Sequence, residues 1–365
     1  MVKSIPPWLR VIPLCIVLLY TGIVLSVCDV DLASLATLLA TYGRSMISVW
    51  LATGLIALLG TMVWRHSNAL PGSSWSIGHQ FLHTRWRDDR LMSVCLPFLC
   101  FVPLITAYNV FKMLHLPSVG FWAGPHIGEL ERAMLGGYDG WQLTYAVLPS
   151  PWATQIIDLL YHGWFAPMVA GVAICSFAHQ HSRLAWRYLT SFVLLWSVQG
   201  TLVAYMLPAA GPALRSIILP TASRFDALTS LMDHQDHFLK AHGAPGLYAV
   251  HYQHALAALF GQQNIVIGGG ISAMPSMHNA MAVLFACAAW KLGRRAGIAT
   301  TIYALIIWIG SVHLGWHYAL DGGVACIMTL ATWMIVGRIP SFFERRATMA
   351  RAKSIQAGPV ALNPA

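Results

Sequence analysis

A chain of 365 residues in which 57% of side chains are apolar and only 10% are charged is too hydrophobic for a water-soluble domain, and its apolar residues fall in blocks of spanning length. The formal charge of +9 is spread over short loops and the tail, with no single basic stripe, which excludes a nucleic-acid partner and points to membrane topology. The composition describes an all-α polytopic protein whose first partner is the lipid bilayer.

Eight spans are predicted, at 11–27, 46–64, 91–111, 153–177, 186–207, 271–290, 298–315 and 318–337. No small-residue cleavage site clearly follows the first, so it reads as a retained span. With the N-terminus in the cytoplasm, the inner face collects Arg65, Arg85, Arg87, Arg90, Arg183, Arg187, Lys291, Arg294, Arg295 and the basic tail from Arg338. The outer loops keep only Arg44, Lys112, Arg132, Arg215, Arg224 and Lys240, the asymmetry of the positive-inside rule, and both termini fall on the cytoplasmic side. The seven cysteines lie nearly all inside predicted spans, so no disulfide framework is expected.

Residues 1–90 read as two peripheral spans and a basic inner-face segment. In that segment Trp75, Phe81, Leu82 and Trp86 among His and Arg suit either a helix at headgroup level or a solvated loop. Residues 91–338 read as the catalytic membrane core. Pro97 and Pro103 predict a kink in its first span. The outer segment 112–151, rich in Trp, Gly and acids, is expected to fold back over the site with Trp122, Trp141 and Trp152 at interfacial depth. Asp158 and His162, four residues apart, either wall the site or form a mutually satisfied polar pair between helices. After span five the break Leu207-Pro208-Ala209-Ala210-Gly211-Pro212 is positioned to aim Arg215 at a phosphate. In the loop to about 267, His234, Asp236 and His237 cluster but match no standard zinc spacing, so a lid or acceptor-binding loop is expected and no metal or other cofactor. Residues 339–365 read as a basic, disordered cytoplasmic tail.

Two stretches carry chemistry. Gly268-Gly269-Gly270 leads into Pro275-Ser276-Met277-His278, where a helix start would turn free backbone N–H groups and Ser276 toward an anion. Ser311-Val312-His313-Leu314-Gly315-Trp316-His317-Tyr318-Ala319-Leu320-Asp321 spaces His317 and Asp321 for one helical face, so that the carboxylate fixes the imidazole tautomer. A neutral His317 then attacks phosphorus while His278 protonates the leaving oxygen. The charge-derived topology puts both stretches at the outer face.

These two stretches resemble the second and third signature motifs of the type 2 phosphatidic acid phosphatase superfamily, and their flanks look most like its inositol phosphorylceramide synthase-like branch. The resemblance implies a six-helix core, a metal-independent reaction, His317 as nucleophile, Asp321 as its orienting partner and His278 as acid. The sequence departs from the broad-specificity members in carrying Ser311 where they carry an arginine, and in having no Arg-Pro pair of a first motif. Arg215 and His313 are candidate replacement contacts. Three functions stand: transfer of a phospho-headgroup from a phospholipid to a lipid alcohol such as ceramide or diacylglycerol, hydrolysis of a lipid phosphate or isoprenoid diphosphate, and non-catalytic lipid binding or transport.

Overall fold

The computed structural model describes residues 5–70, 72–83, 88–178, 182–219, 223–262 and 265–356, and every regular element among them is helical. Arg85, Arg87 and the end of the tail lie outside the described residues. Helix α1 (Ile12–Val27) follows a single turn at Pro7–Arg10, and α2 (Leu32–Ser67) starts where the Asp31 carboxylate accepts a bond from the Ser34 amide at 2.8 Å. At 36 residues α2 exceeds the predicted 46–64, because nothing between Leu32 and Tyr42 breaks a helix. The short α3 (Ser74–His83) takes the helical reading of the basic segment: it buries Ile77 and Phe81 and leaves Trp75 exposed.

Helix α4 (Asp88–Val110) carries Pro97 and Pro103 and ends in a π turn over Phe111–His115. Residues 112–151 then form α5 (Ala123–Met134) and α6 (Gly140–Val147). One span is made of α7 (Pro151–His162) and α8 (Phe165–Phe177), and the next of α9 (Ser182–Leu194), which continues through a π stretch to Met206. The loop region folds into α10 (Pro212–Ile218), α11 (Asp226–Ala241) and α12 (Tyr248–Ala258). The motif helices α13 (Met277–Leu292), α14 (Arg294–His313) and α15 (Ala319–Gln356) complete the chain.

Among the described residues seven helical stretches are long and apolar enough to cross a bilayer, so the protein is an integral multi-pass membrane protein. The predicted span at 271–290 becomes α13, with only 16 residues. Its rise of about 24 Å is less than the ~30 Å hydrocarbon layer. The deficit has a local cause: Pro275 and the capping Ser276 hold residues 271–276 outside the helix. Helix α15 runs into the segment read as tail, as far as Gln356, through a stretch of Arg, Ala, Met and Lys that favours helix, and residues 357–365 lie outside the described residues.

Helix α13 lies at the centre, packed on α14, α15 and α9. Its Ala280, Met281, Ala282 and Leu284 are fully buried, the small residues letting neighbouring backbones approach. Helices α1 and α2 sit at the edge against α4 and α8, yet α2 reaches inward. The Tyr42 hydroxyl donates to Asn109 Oδ1 at 2.8 Å, and the same oxygen accepts the Gly268 amide at 2.8 Å, which fixes the approach to the Pro275–His278 stretch.

The Leu207–Gly211 break braces both motif loops. Ala209 O accepts from the Ala273 amide at 2.7 Å, and the Ala213 amide donates to Gly315 O at 2.9 Å. Gly211 has φ +82°, and a Cβ there would stand 2.2 Å from the Trp316 carbonyl oxygen. Gly211→Ala is therefore expected to cost about 1–3 kcal/mol for the backbone conformation alone, with the clash added. A lowered thermal midpoint of the purified variant checks this, and an unchanged midpoint would remove Gly211 from the brace.

Candidate active site

The chain reverses between α14 and α15 through Leu314-Gly315-Trp316-His317, and α15 begins only at Ala319. His317 thus precedes the helix instead of lying on its face as the spacing suggested. Asp321 reaches it by turning back to cap its own helix: its Oδ2 accepts the Tyr318 amide at 2.9 Å and lies 3.5 Å from His317 Nδ1. The shorter contact of that nitrogen is with the Ala273 carbonyl, at 2.7 Å. A carbonyl oxygen only accepts, so Nδ1 carries the proton and Nε2 keeps the lone pair. The His317 amide donates to Ser311 O at 3.0 Å, which sets the turn itself.

His278, in the first turn of α13, places its ring 5.9 Å from that of His317. It is stacked on Tyr161 at 4.6 Å and leans on Trp164 at 4.3 Å, so two aromatic walls fix its plane. His162 borders the same aromatic wall, its ring 5.6 Å from that of Tyr161. Arg215 has no acidic partner among the described residues.

Ser276 is fully buried and caps α13, its Oγ accepting from the Asn279 amide at 3.3 Å and from Asn279 Nδ2 at 2.9 Å. Its own amide donates to the Asp321 carbonyl at 3.3 Å. The helix start therefore presents the first-turn amides of Met277 and His278, which have no intrahelical acceptor, while the Ser276 hydroxyl and amide are both engaged within the protein. Asn279 Nδ2 also donates to Ser311 Oγ at 3.2 Å, and Ser311 donates to Trp308 O at 2.7 Å. Ser311 is thus a buried hydrogen-bond relay without charge.

Two candidate substrate contacts, His313 and Asp158, are engaged within the protein. His313 has no exposure: Nε2 lies 2.9 Å from Thr154 Oγ1, Nδ1 lies 3.1 Å from Thr144 Oγ1, and the ring stacks on Tyr145 at 3.9 Å. With both nitrogens occupied it has nothing to offer a phosphate. Asp158, also fully buried, accepts the Tyr248 and Ala249 amides at 2.5 and 3.0 Å and pairs with His162 Nδ1 at 2.9 Å. It anchors the start of α12, the polar-pair reading of that motif. His162 keeps its other nitrogen free beside Tyr252 and Trp316. Asp236 is likewise structural, binding the Leu247 amide and Lys240 Nζ.

Glu131 was not singled out by sequence. On α5 and buried, it accepts the Gly140 amide at 3.0 Å and the Leu320 amide at 3.2 Å, fastening the outer segment to the turn that presents His317. Burial pushes its carboxyl above the usual range, and those same amides pull it partly back. In Glu131→Ala two buried amides lose their acceptor, at a cost of about 1–3 kcal/mol each. The expected result is a lowered thermal midpoint together with reduced kcat; an unaltered midpoint would show that the outer segment is held elsewhere.

A family model described as the PAP2 superfamily matches residues 125–335, more than half of the chain. Comparison with curated proteins and with solved structures gave no match.

Proposed function

The chain belongs to the PAP2 superfamily, and on that premise we propose that it moves a phospho-headgroup from a phospholipid to a lipid alcohol such as ceramide or diacylglycerol, through a phosphohistidine on His317. As a superfamily member it is a membrane enzyme of the phosphatase and phosphotransferase type, acting on lipid phosphate. The observation that carries the finer reading is the His317 tautomer: Nδ1 is held by Ala273 O at 2.7 Å, which leaves Nε2 as nucleophile with the His278 ring 5.9 Å away.

Nε2 attacks phosphorus as the bond to the leaving oxygen breaks, and His278 gives that oxygen its proton. The N–H groups opening α13, with Arg215, face the charge on the non-bridging oxygens. In the second half-reaction the acceptor hydroxyl gives its proton to His278, its oxygen takes the phosphoryl group, and the N–P bond returns its electrons to Nε2. Asp321 and the Ala273 carbonyl stabilise the imidazolium character that develops in between.

The uncharged Ser311 relay supports a diester donor over a phosphomonoester, whose extra charge needs more fixed cations. The same feature supports the inositol phosphorylceramide synthase-like branch. The charge asymmetry supports a site at the outer face with both termini cytoplasmic, and 91–338 as the catalytic core.

Purified protein given labelled glycerophospholipid donors and lipid phosphates, with and without ceramide or diacylglycerol, tests the reading. Acceptor-dependent formation of a new phospholipid is expected. Release of inorganic phosphate independent of acceptor would instead make the enzyme a lipid phosphatase.

A further inference from the structure

The end of the bundle remote from His317 holds a cavity, lined by basic side chains, that the reaction does not use. It has a volume of about 270 Å³ and lies between the start of α9, the end of α13 and the middle of α15, lined by Arg183, Trp186, Arg187, Lys291, Val336 and Gly337 among others. Along α13, His278 and Lys291 are separated by about 20 Å of helix rise, so cavity and active site stand at opposite ends of one helix.

Three cations line this cavity, and Glu344, the carboxylate beside it, pairs with Arg183. Arg187 lies over the Trp333 ring, 3.9 Å from its centroid, and donates from Nε and Nη2 to the Trp333 carbonyl at 2.9 and 2.6 Å. A neutral carbonyl fixes the guanidinium without cancelling its charge. Lys291 is exposed and has no acidic partner among the described residues, and Arg183 Nε is buried without a hydrogen-bond acceptor. The cavity thus keeps a net positive charge and an unused donor at the level where helices leave the bilayer.

We propose that this cavity binds the phosphate headgroup of an anionic phospholipid, a site separate from the one that carries out catalysis. Basic pockets between spanning helices suit such headgroups. The volume is near the lower end for small-ligand sites, enough for a headgroup whose acyl chains stay in the bilayer along α9 and α15. The charge asymmetry of the sequence puts this end in the cytoplasmic leaflet, opposite the leaflet that supplies the reaction. The bound lipid joins α9 to α13, whose far end carries His278, and to α15, whose far end adjoins the turn of His317, and so clamps the frame of the active site.

The test is the thermal midpoint of full-length protein in a neutral detergent, titrated with short-chain phosphatidylglycerol, phosphatidylcholine or inorganic phosphate. The wild type and His317→Asn are expected to be stabilised by phosphatidylglycerol and not by the other two. In Lys291→Glu the phosphatidylglycerol titration shifts at least about tenfold to higher concentration, since charge reversal removes the attraction of roughly two cations. Lys291→Gln, a milder exposed change, shifts it in the same direction and guards against misfolding. An equal response to phosphatidylcholine overturns the proposal. So does an equal response to inorganic phosphate, which makes the pocket a site for the free anion, or a phosphatidylglycerol effect lost in His317→Asn and kept in Lys291→Glu, which places the lipid in the active site.

Discussion

His317→Asn is expected to reduce turnover by about 10⁴-fold or more while the protein remains folded, the scale seen when the nucleophile of a covalent mechanism is removed. The asparagine amide can still donate toward the Ala273 carbonyl, now 2.7 Å from Nδ1, but nothing replaces Nε2. Two measurements check it. Wild-type protein mixed briefly with a labelled donor and quenched should carry an acid-labile, alkali-stable phosphoryl group, and the variant should carry none. Normal turnover in the variant would end the phosphohistidine reading, and it would do so whichever acceptor is used.

The second large effect is expected at His278 and depends on the leaving group. A general acid contributes about 10²- to 10⁴-fold, or roughly 3–5 kcal/mol of barrier. His278→Ala should therefore lose this much with a lipid alcohol as the leaving group. With a p-nitrophenyl ester of the same headgroup the loss should shrink toward tenfold or less, because that phenolate departs without a proton. His317→Asn should show no such rescue. The two variants are thus told apart by the substrate, and an equal loss for both esters would make His278 a positioning residue. The stacking of His278 between Tyr161 and Trp164 gives it a fixed approach to one side of the site, as an acid aimed at a single oxygen requires.

Much of this protein was legible in its sequence because the signals were local. A spanning segment is a property of consecutive residues, so composition alone gave the all-helical membrane architecture. Within the motifs, the bond that Asp321 makes to the Tyr318 amide is a local cap, and the Ser276 cap of α13 is another. Those short separations are also why the resemblance to a superfamily was readable at His278, His317 and Asp321.

What the tertiary structure decided depends on chain crossings. The carbonyl that fixes the His317 tautomer belongs to Ala273, 44 residues away, and the carboxylate that fastens the same turn belongs to Glu131, 189 residues from the amide it binds. Spacing along the chain carries no information about such partners. His313 shows the converse: in sequence it is an ionisable residue beside a catalytic turn, and only the approach of α6 and α7 brings Thr144 and Thr154 to saturate both of its nitrogens. Asp158 changed meaning in the same way when α12 set its first amides on it. The sequence determined which groups are able to react; the fold determined which polar groups remained unpaired, since a buried donor or acceptor is bound by whatever the packing brings within reach.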